Sequence, residues 1–455
     1  TLSADGKTLA YLRGAGDLNR GAALEQQSEF TLLVMGPDRT EREVTTLVWR
    51  PSNPLAVRVA PAIRFNPAGD RLLVNELERD TLFLREIRLD GQGKRTLFAF
   101  PHGARAVVSP DLRWIALREY FRTYLVPMND AGKMLTVSGF DRQGTAIRVD
   151  RDDGEYVDWS PDSKELFWSR GAMLHQKSLA DIMASRPGSR ATDVSFEYQV
   201  AVPSGVVALT NARVITMDGT RQVLDNATIV VRNNRIEQVG VGVAAPAGAR
   251  VFDLRGKTVM PGIVDAHGHY NPDAATLGVI EQEHVGLLAN LAYGTTTVYE
   301  VYGNHVKDFQ VADLQRAGAI TGSRLLSTGP PIYGLRYFRP KSYRPIRSQE
   351  DADEVVAFNK AYGAAALKDY VHFDRSSRVW LYEAARRAGL NVVSETAADF
   401  QMSMTMLMDG VTGLEHTVGM TPMYADVHRL WAATGAGNTP TLIVSYNGPQ
   451  GETAF

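Results

Sequence analysis

At 455 residues the chain is too long for one compact core and points to two to four domains. Its 49 Lys and Arg balance 51 Asp and Glu and no basic stripe stands out, which excludes nucleic acid and anionic membrane surfaces as charge-driven partners. There is no cysteine, so disulfides, thiolate metal sites and a cysteine nucleophile are excluded too.

No apolar run approaches the roughly 20 residues that a bilayer-spanning helix needs, so no membrane span is expected. A cysteine-free chain suits an exported protein, and a periplasmic or secreted location is the expectation. The opening residues, Thr1 to Lys7, read as the middle of a repeat, and Phe455 follows soon after an apolar strand. The chain is therefore expected to be a fragment of a longer protein.

Residues 1–200 are strand-rich and carry a recurring turn: Ser3 to Lys7, Asn66 to Asp70, Ser109 to Arg113 and Ser160 to Lys164. Each precedes an apolar strand, at Leu9, Leu72, Trp114 and Leu166. Proline presets φ in three of the turns, and Asp and Gly supply the corner. The last three copies recur about 40 to 50 residues apart, the spacing of four-stranded propeller blades. A partial β-propeller is expected; unrelated hairpins in another β-domain are the alternative.

Residues 206–262 form a separate small β-sandwich, with Asn233-Asn234 as a hairpin turn that tolerates positive φ. From 258 to 455 strand and helix alternate. Strand one is Thr258 to Ala266, followed by a helix over 279–292 that Gly294 ends. Strand two starts at Thr295, a helix runs from His305 to Ala317, and strand three starts at Arg324. After a Pro- and Tyr-rich loop, Ser348 caps a helix with Glu350 and Asp351 in its first turn. Strands four to seven start at Ala364, Asn391, Val411 and Pro440, with helices over 377–388, 400–408 and 424–433 between them. Seven such steps predict a TIM-like (β/α)₈ barrel truncated before strand eight. The fold class is multidomain: partial propeller, small sandwich and α/β barrel.

The chemistry centres on Val259-Met-Pro-Gly-Ile-Val-Asp-Ala-His-Gly-His269. His267 and His269 are two apart at a strand end, so both rings face the barrel mouth. Neutral imidazoles bind Zn²⁺ and similar ions. Gly268 between them keeps the opposite face free of bulk. A structural histidine pair is the alternative for the His-x-His spacing alone.

This motif, with the β-module before it, resembles the metal-dependent amidohydrolase superfamily over about residues 206–455. Prolidases and imidazolonepropionases are members. The repeats ahead of it resemble TolB-like propellers fused to bacterial amidohydrolases. The resemblance implies a divalent metal, zinc first, as one or two ions. It implies further ligands at strand ends. Lys368, ending strand four, would be carboxylated by CO₂ so that its carbamate bridges the metals. His416, ending strand six, matches the family's ligand. Glu395 ends strand five where the family has a histidine, a departure that leaves ligand and substrate-contact roles both open. The family's general base, an Asp ending strand eight, would lie beyond Phe455. Tyr370 and His372, just past Lys368, are candidates to contact substrate.

The function implied is hydrolysis of carbon–nitrogen bonds in amides, cyclic amides or dipeptide-like substrates. A metal-activated water would attack. A prolidase-type dipeptidase and a non-catalytic binding protein with a propeller interaction module are the competing readings. The partner is a small molecule or short peptide, with oligomerisation left open. Met402, Met404, Met406 and Met408 read as a packed helix face rather than a copper site.

Overall fold

The computed structural model describes residues 1–14, 29–51, 61–141, 144–200, 202–269, 284–305, 307–333, 346–372, 374–396, 399–420 and 422–441. All four recurring turns are built alike. The first side chain accepts from the backbone N–H five residues on: Thr8 to Ser3, Arg71 to Asn66, Trp114 to Ser109 and Glu165 to Ser160, at 2.9 to 3.0 Å. The fourth residue is left-handed in every copy, at Gly6, Gly69, Leu112 and Ser163. Two copies thus accept the cost of a side chain where glycine would be free of it.

The last two turns each sit inside a four-stranded antiparallel sheet. One joins 103–108, 114–119, 122–127 and 147–148; the other joins 155–159, 165–170, 173–178 and 190–193. The first two turns share one eight-stranded sheet, fused by parallel pairing of Glu41–Pro51 with Arg71–Arg79. A closed ring of blades is not among the described residues. Residues 206–259 form one five-stranded sheet, and both Asn233 and Asn234 take positive φ at its hairpin. The second layer of a sandwich is not among the described residues either.

Beyond residue 262 the strands run parallel. Ile263–Gly268, Thr295–Glu300 and Arg324–Ser327 make one sheet. Ile332–Tyr333, Ala366–Tyr370, Asn391–Glu395, Gly413–Glu415 and Gly437–Thr439 make another. The expected βα order is present as these two parallel sheets, and no barrel closes among the described residues. The seventh strand lies at Gly437–Thr439, earlier than the expected start at Pro440; most of the expected segment lies outside the described residues. Of the expected 279–292 helix, residues 279–283 also lie outside them. The helix described there is Val285–Ala292, and the His284 ring accepts from Leu287 N as its N-cap.

The helices stop where the glycines say. Gly363, Gly389 and Gly410 each adopt the left-handed C-cap, which a residue without Cβ does at least cost. Ser348 caps Gln349–Tyr362 by accepting from Asp351 N. The core of this half packs Leu367, Val392 and Leu414 of the strands under Val355, Leu381 and Met406 of the helices. Met402 and Met406 are buried and Met404 packs against the same core, whereas Met408 is exposed, so three of the four methionines pack toward the core.

Tyr120 and Phe121 of the β-rich region belong to that same core, with the Phe121 ring tilted against that of Phe358 at 4.9 Å. Charges lock the contact. Arg122 pairs with Glu354 and, at 2.9 Å, with Asp351; Arg148 pairs with Glu354 at 2.8 Å and Asp153 at 2.5 Å. Glu354 therefore serves two arginines. Removing one partner of a buried ion pair leaves charge stranded in low dielectric. Glu354→Ala is expected to destabilise the protein by about 3 kcal/mol in denaturant unfolding; a change near zero would show the network to be solvated.

His305 lies edge-on to Phe358 at 4.7 Å and Tyr362 at 5.3 Å. Burial, aided by the nearby Arg118 charge, pushes its imidazole down to about 3. The folded state keeps the ring neutral while the unfolded state takes up a proton below about 6.5. Stability from this group is complete above that pH and falls on acidification, by up to about 1.4 kcal/mol per pH unit. The difference in stability between wild type and His305→Phe should therefore change between pH 6.5 and 4.5; parallel profiles would rule out a buried neutral ring.

Candidate metal centre

The first strand approaches its neighbour so closely that Gly268 has no room for a side chain. A Cβ there would meet Val298 Cγ1 at 2.6 Å and Asp265 Oδ2 at 2.9 Å. Asp265, one layer deeper, accepts from His267 N at 3.1 Å and fixes the strand end. From this end His267 and His269 project with their rings perpendicular, 5.5 Å apart.

The second sheet brings up the rest. Parallel register sets Tyr333, Tyr370, Glu395, Glu415 and Thr439 in one transverse row. Lys368 lies two residues deeper on the same face as Tyr370. Its ammonium is 3.5 Å from Glu395 Oε2, and Glu395 Oε2 is 3.4 Å from His416 Nε2. The His416 ring is 4.7 Å from that of His267. The five residues expected as ligands, His267, His269, Lys368, Glu395 and His416, thus form one continuous set of neighbours.

Strain marks the rim. His416 has φ +64°, held by its N–H to Thr439 O at 2.7 Å and by Asn438 Nδ2 to its carbonyl at 3.1 Å. Val371 has φ +45°, an outlier for a β-branched residue. Such backbone persists only where surrounding contacts over-determine it, and it gathers at functional sites.

Lys368 is 1% exposed. Burial pulls its amine below the usual lysine range, against the attraction of Glu415 and Glu395. Nζ makes no hydrogen bond, and neither does the buried Nδ1 of His416. His269 moves the other way: its hydrogen bond with Glu300 outweighs burial and raises its imidazole above the usual range.

Tyr370 is at the site, with its ring 5.8 Å from the Lys368 ammonium. It packs on Tyr333 at 5.1 Å and Tyr302 at 5.6 Å, making an aromatic wall. His372, expected to contact substrate, is not brought to the set. It is buried, its Nδ1 meets Asp369 at 3.0 Å, and Arg378 holds its carbonyl at 2.7 Å. Asp369 points away from Lys368 by strand alternation and also accepts from Tyr382 and Ser394.

Two carboxylates that the sequence reading did not single out complete the surroundings. Glu300 meets His269 Nδ1 at 2.8 Å, and Glu415 meets His267 Nδ1. Glu300 ends strand two as the histidines end strand one, which was a usable signal. Glu415 was hidden, because alternation puts it opposite His416. The left-handed turn at His416 brings both inward.

Among the described residues, no three His, Asp or Glu side chains already converge on one point as a finished metal site. The donor set nevertheless fits a divalent ion. It offers imidazole nitrogens and a carboxylate, the ligands zinc takes. Ligands on a tetrahedral ion with bonds of roughly 2.1 Å stand about 3.4 Å apart. The 3.4 Å between Glu395 Oε2 and His416 Nε2 matches that edge.

No family model matches the chain. It is 49% identical over 51 residues to a dihydroorotase of Geobacter sulfurreducens, covering 11% of each chain. It is 41% identical over 51 residues to an imidazolonepropionase of Deinococcus radiodurans, 11% of this chain and 13% of that one. A 5-methylthioadenosine/S-adenosylhomocysteine deaminase of Bacillus thuringiensis is 38% identical over 61 residues, 13% and 14% of the two chains. The chain matches less than a sixth of the length of each of these relatives. Among solved structures, a Xaa-Pro dipeptidase with bound methionine gives a TM-score of 0.43 at 21% identity, over 53% of this chain and 68% of that one.

The close approach at Gly268 is open to test. Gly268→Ala must push strands apart or move Asp265, and is expected to cost about 1–3 kcal/mol in denaturant unfolding. A neutral substitution would mean that the strand end is looser than described.

Proposed function

We propose that the chain is a metal-dependent member of the amidohydrolase superfamily that hydrolyses carbon–nitrogen bonds. The observation that carries this is that His267, His269, Lys368, Glu395 and His416, from four separate strands, are linked neighbour to neighbour at one edge of the parallel sheets. The relatives named dihydroorotase, imidazolonepropionase and deaminase support the same superfamily and reaction class.

These five residues would hold one or two divalent ions, zinc first. When bound, such an ion supplies an activated water and polarises the scissile carbonyl. The chain's own residues do the rest. Burial keeps the Lys368 amine toward its neutral form, the form able to add CO₂ and become a carbamate with loss of a proton. Glu395 faces both Lys368 and His416, which suits a ligand. Tyr370 would offer its face or hydroxyl to the substrate beside Lys368. His372, buried just past its strand and paired with Asp369, would serve to steady the backbone rather than to contact substrate.

The substrate in this reading is a small amide, cyclic amide or short peptide, with prolidase-type dipeptides within the class. Among the described residues no helix is long and apolar enough to cross a membrane. Periplasmic or secreted location belongs to the same proposal and rests on the absence of cysteine.

The test uses the full-length protein. Bound metal per chain is measured, then hydrolysis of a panel of C-terminal prolyl dipeptides, N-acyl amino acids and cyclic amides. One to two equivalents are expected, with affinity falling at least about tenfold in His267→Ala and in Lys368→Ala. Chelation should abolish hydrolysis and zinc restore it. Activity that survives full metal removal, or metal binding indifferent to both substitutions, would overturn the proposal.

A further inference from the structure

Glu300 and Glu415 are 1% and 2% exposed, yet both stand at the mouth of the strands. A carboxylate is kept out of water only when it is paired. Each has at least two partners among the described residues, and those two follow one plan. Glu300 Oε1 accepts from Tyr302 N at 2.8 Å and meets His269 Nδ1 at 2.8 Å. Glu415 Oε2 accepts from the Thr439 hydroxyl and meets His267 Nδ1. In both cases a donor from the protein frame fixes the carboxylate, and the carboxylate fixes a ring nitrogen.

The consequence concerns the other nitrogen. A carboxylate oxygen can only accept, so Nδ1 must carry the proton in each ring. In the neutral ring Nε2 is then left with its lone pair, aimed away from the carboxylate. A histidine that donates through one nitrogen ligates through the other, and the carboxylate raises its basicity. In each carboxylate one oxygen takes both contacts, Oε1 of Glu300 and Oε2 of Glu415, which suits holding the ring in place.

We infer that Glu300 and Glu415 are positioning residues that lock His269 and His267 in the Nδ1-protonated form and present Nε2 of both rings to a divalent cation. This rests on the metal reading of the site, but its effect on the rings does not require the metal. The two carboxylates come from different sheets, Thr295–Glu300 and Gly413–Glu415, so the His-x-His pair is gripped from both sides.

The experiment has two arms on the full-length protein. In the metal-free arm, ¹⁵N-histidine NMR reports the ring tautomers near pH 8. His267 and His269 are expected as Nδ1–H, with that preference lost at His269 in Glu300→Leu and at His267 in Glu415→Leu. In the second arm zinc affinity is measured by competition with a chelating dye. The leucine variants are expected to bind about 10- to 100-fold more weakly. Glu300→Gln and Glu415→Gln, which keep the accepting oxygen and the shape, should recover most of the loss.

Leucine variants with unchanged tautomers would overturn the inference, as would glutamine variants that lose as much zinc affinity as the leucine ones, since that marks direct ligands. If the wild type shows the Nδ1–H tautomers but takes no zinc, the positioning role stands and the metal reading fails. A change confined to the melting temperature of the metal-free variants, with tautomers intact, would reduce both residues to structural anchors and also overturn it.

Discussion

Parallel pairing is the constraint on which the site depends. Strands that run the same way end at the same edge, so residues far apart in sequence share one row without any loop having to carry them. Register sets Tyr370 beside Glu395, Glu395 beside Glu415 and Glu415 beside Thr439. Gly268 lets the first strand sit close enough to Val298 for its histidines to reach the same region. Function at such an edge is a property of strand ends, and the helices serve by holding the strands in register. Arg122 and Arg148, clamped on Glu354, extend that support into the β-rich region.

The second theme is burial of charge. Lys368, Glu300 and Glu415 are all nearly inaccessible, which is costly unless something offsets it. The glutamates are offset by imidazoles and by donors from the frame. Lys368 has an ion-pair contact but no hydrogen bond, and burial drives it toward the neutral amine. In the proposed reading, an arrangement that discourages protonation of one lysine while surrounding it with imidazole and carboxylate serves binding of a cation.

Much of this was legible in the sequence, for reasons that differ by residue. The turns at Ser3, Asn66, Ser109 and Ser160 showed themselves because one local hydrogen-bond pattern demands the same residue types each time. Gly389 and Gly410 marked helix ends because only the left-handed region fits there. His267, His269, Lys368, Glu395 and His416 were visible as strand-end residues. Glu415 was not, because period-two alternation assigns it to the far face and the φ of His416 breaks that rule. His372 lies away from the ligand candidates for the complementary reason. Proximity in sequence to Lys368 suggested the mouth, while the buried Asp369 draws it to the helix side. How the sheets assemble depends on long-range contacts that no local pattern encodes.

The most direct measurement is anomalous diffraction at the zinc edge from crystals of the full-length protein grown with zinc. Peaks within roughly 2.0–2.2 Å of ring nitrogens of His267, His269 and His416 are the expected result. Zinc found only at other residues, with these three rings free of it, would contradict the account.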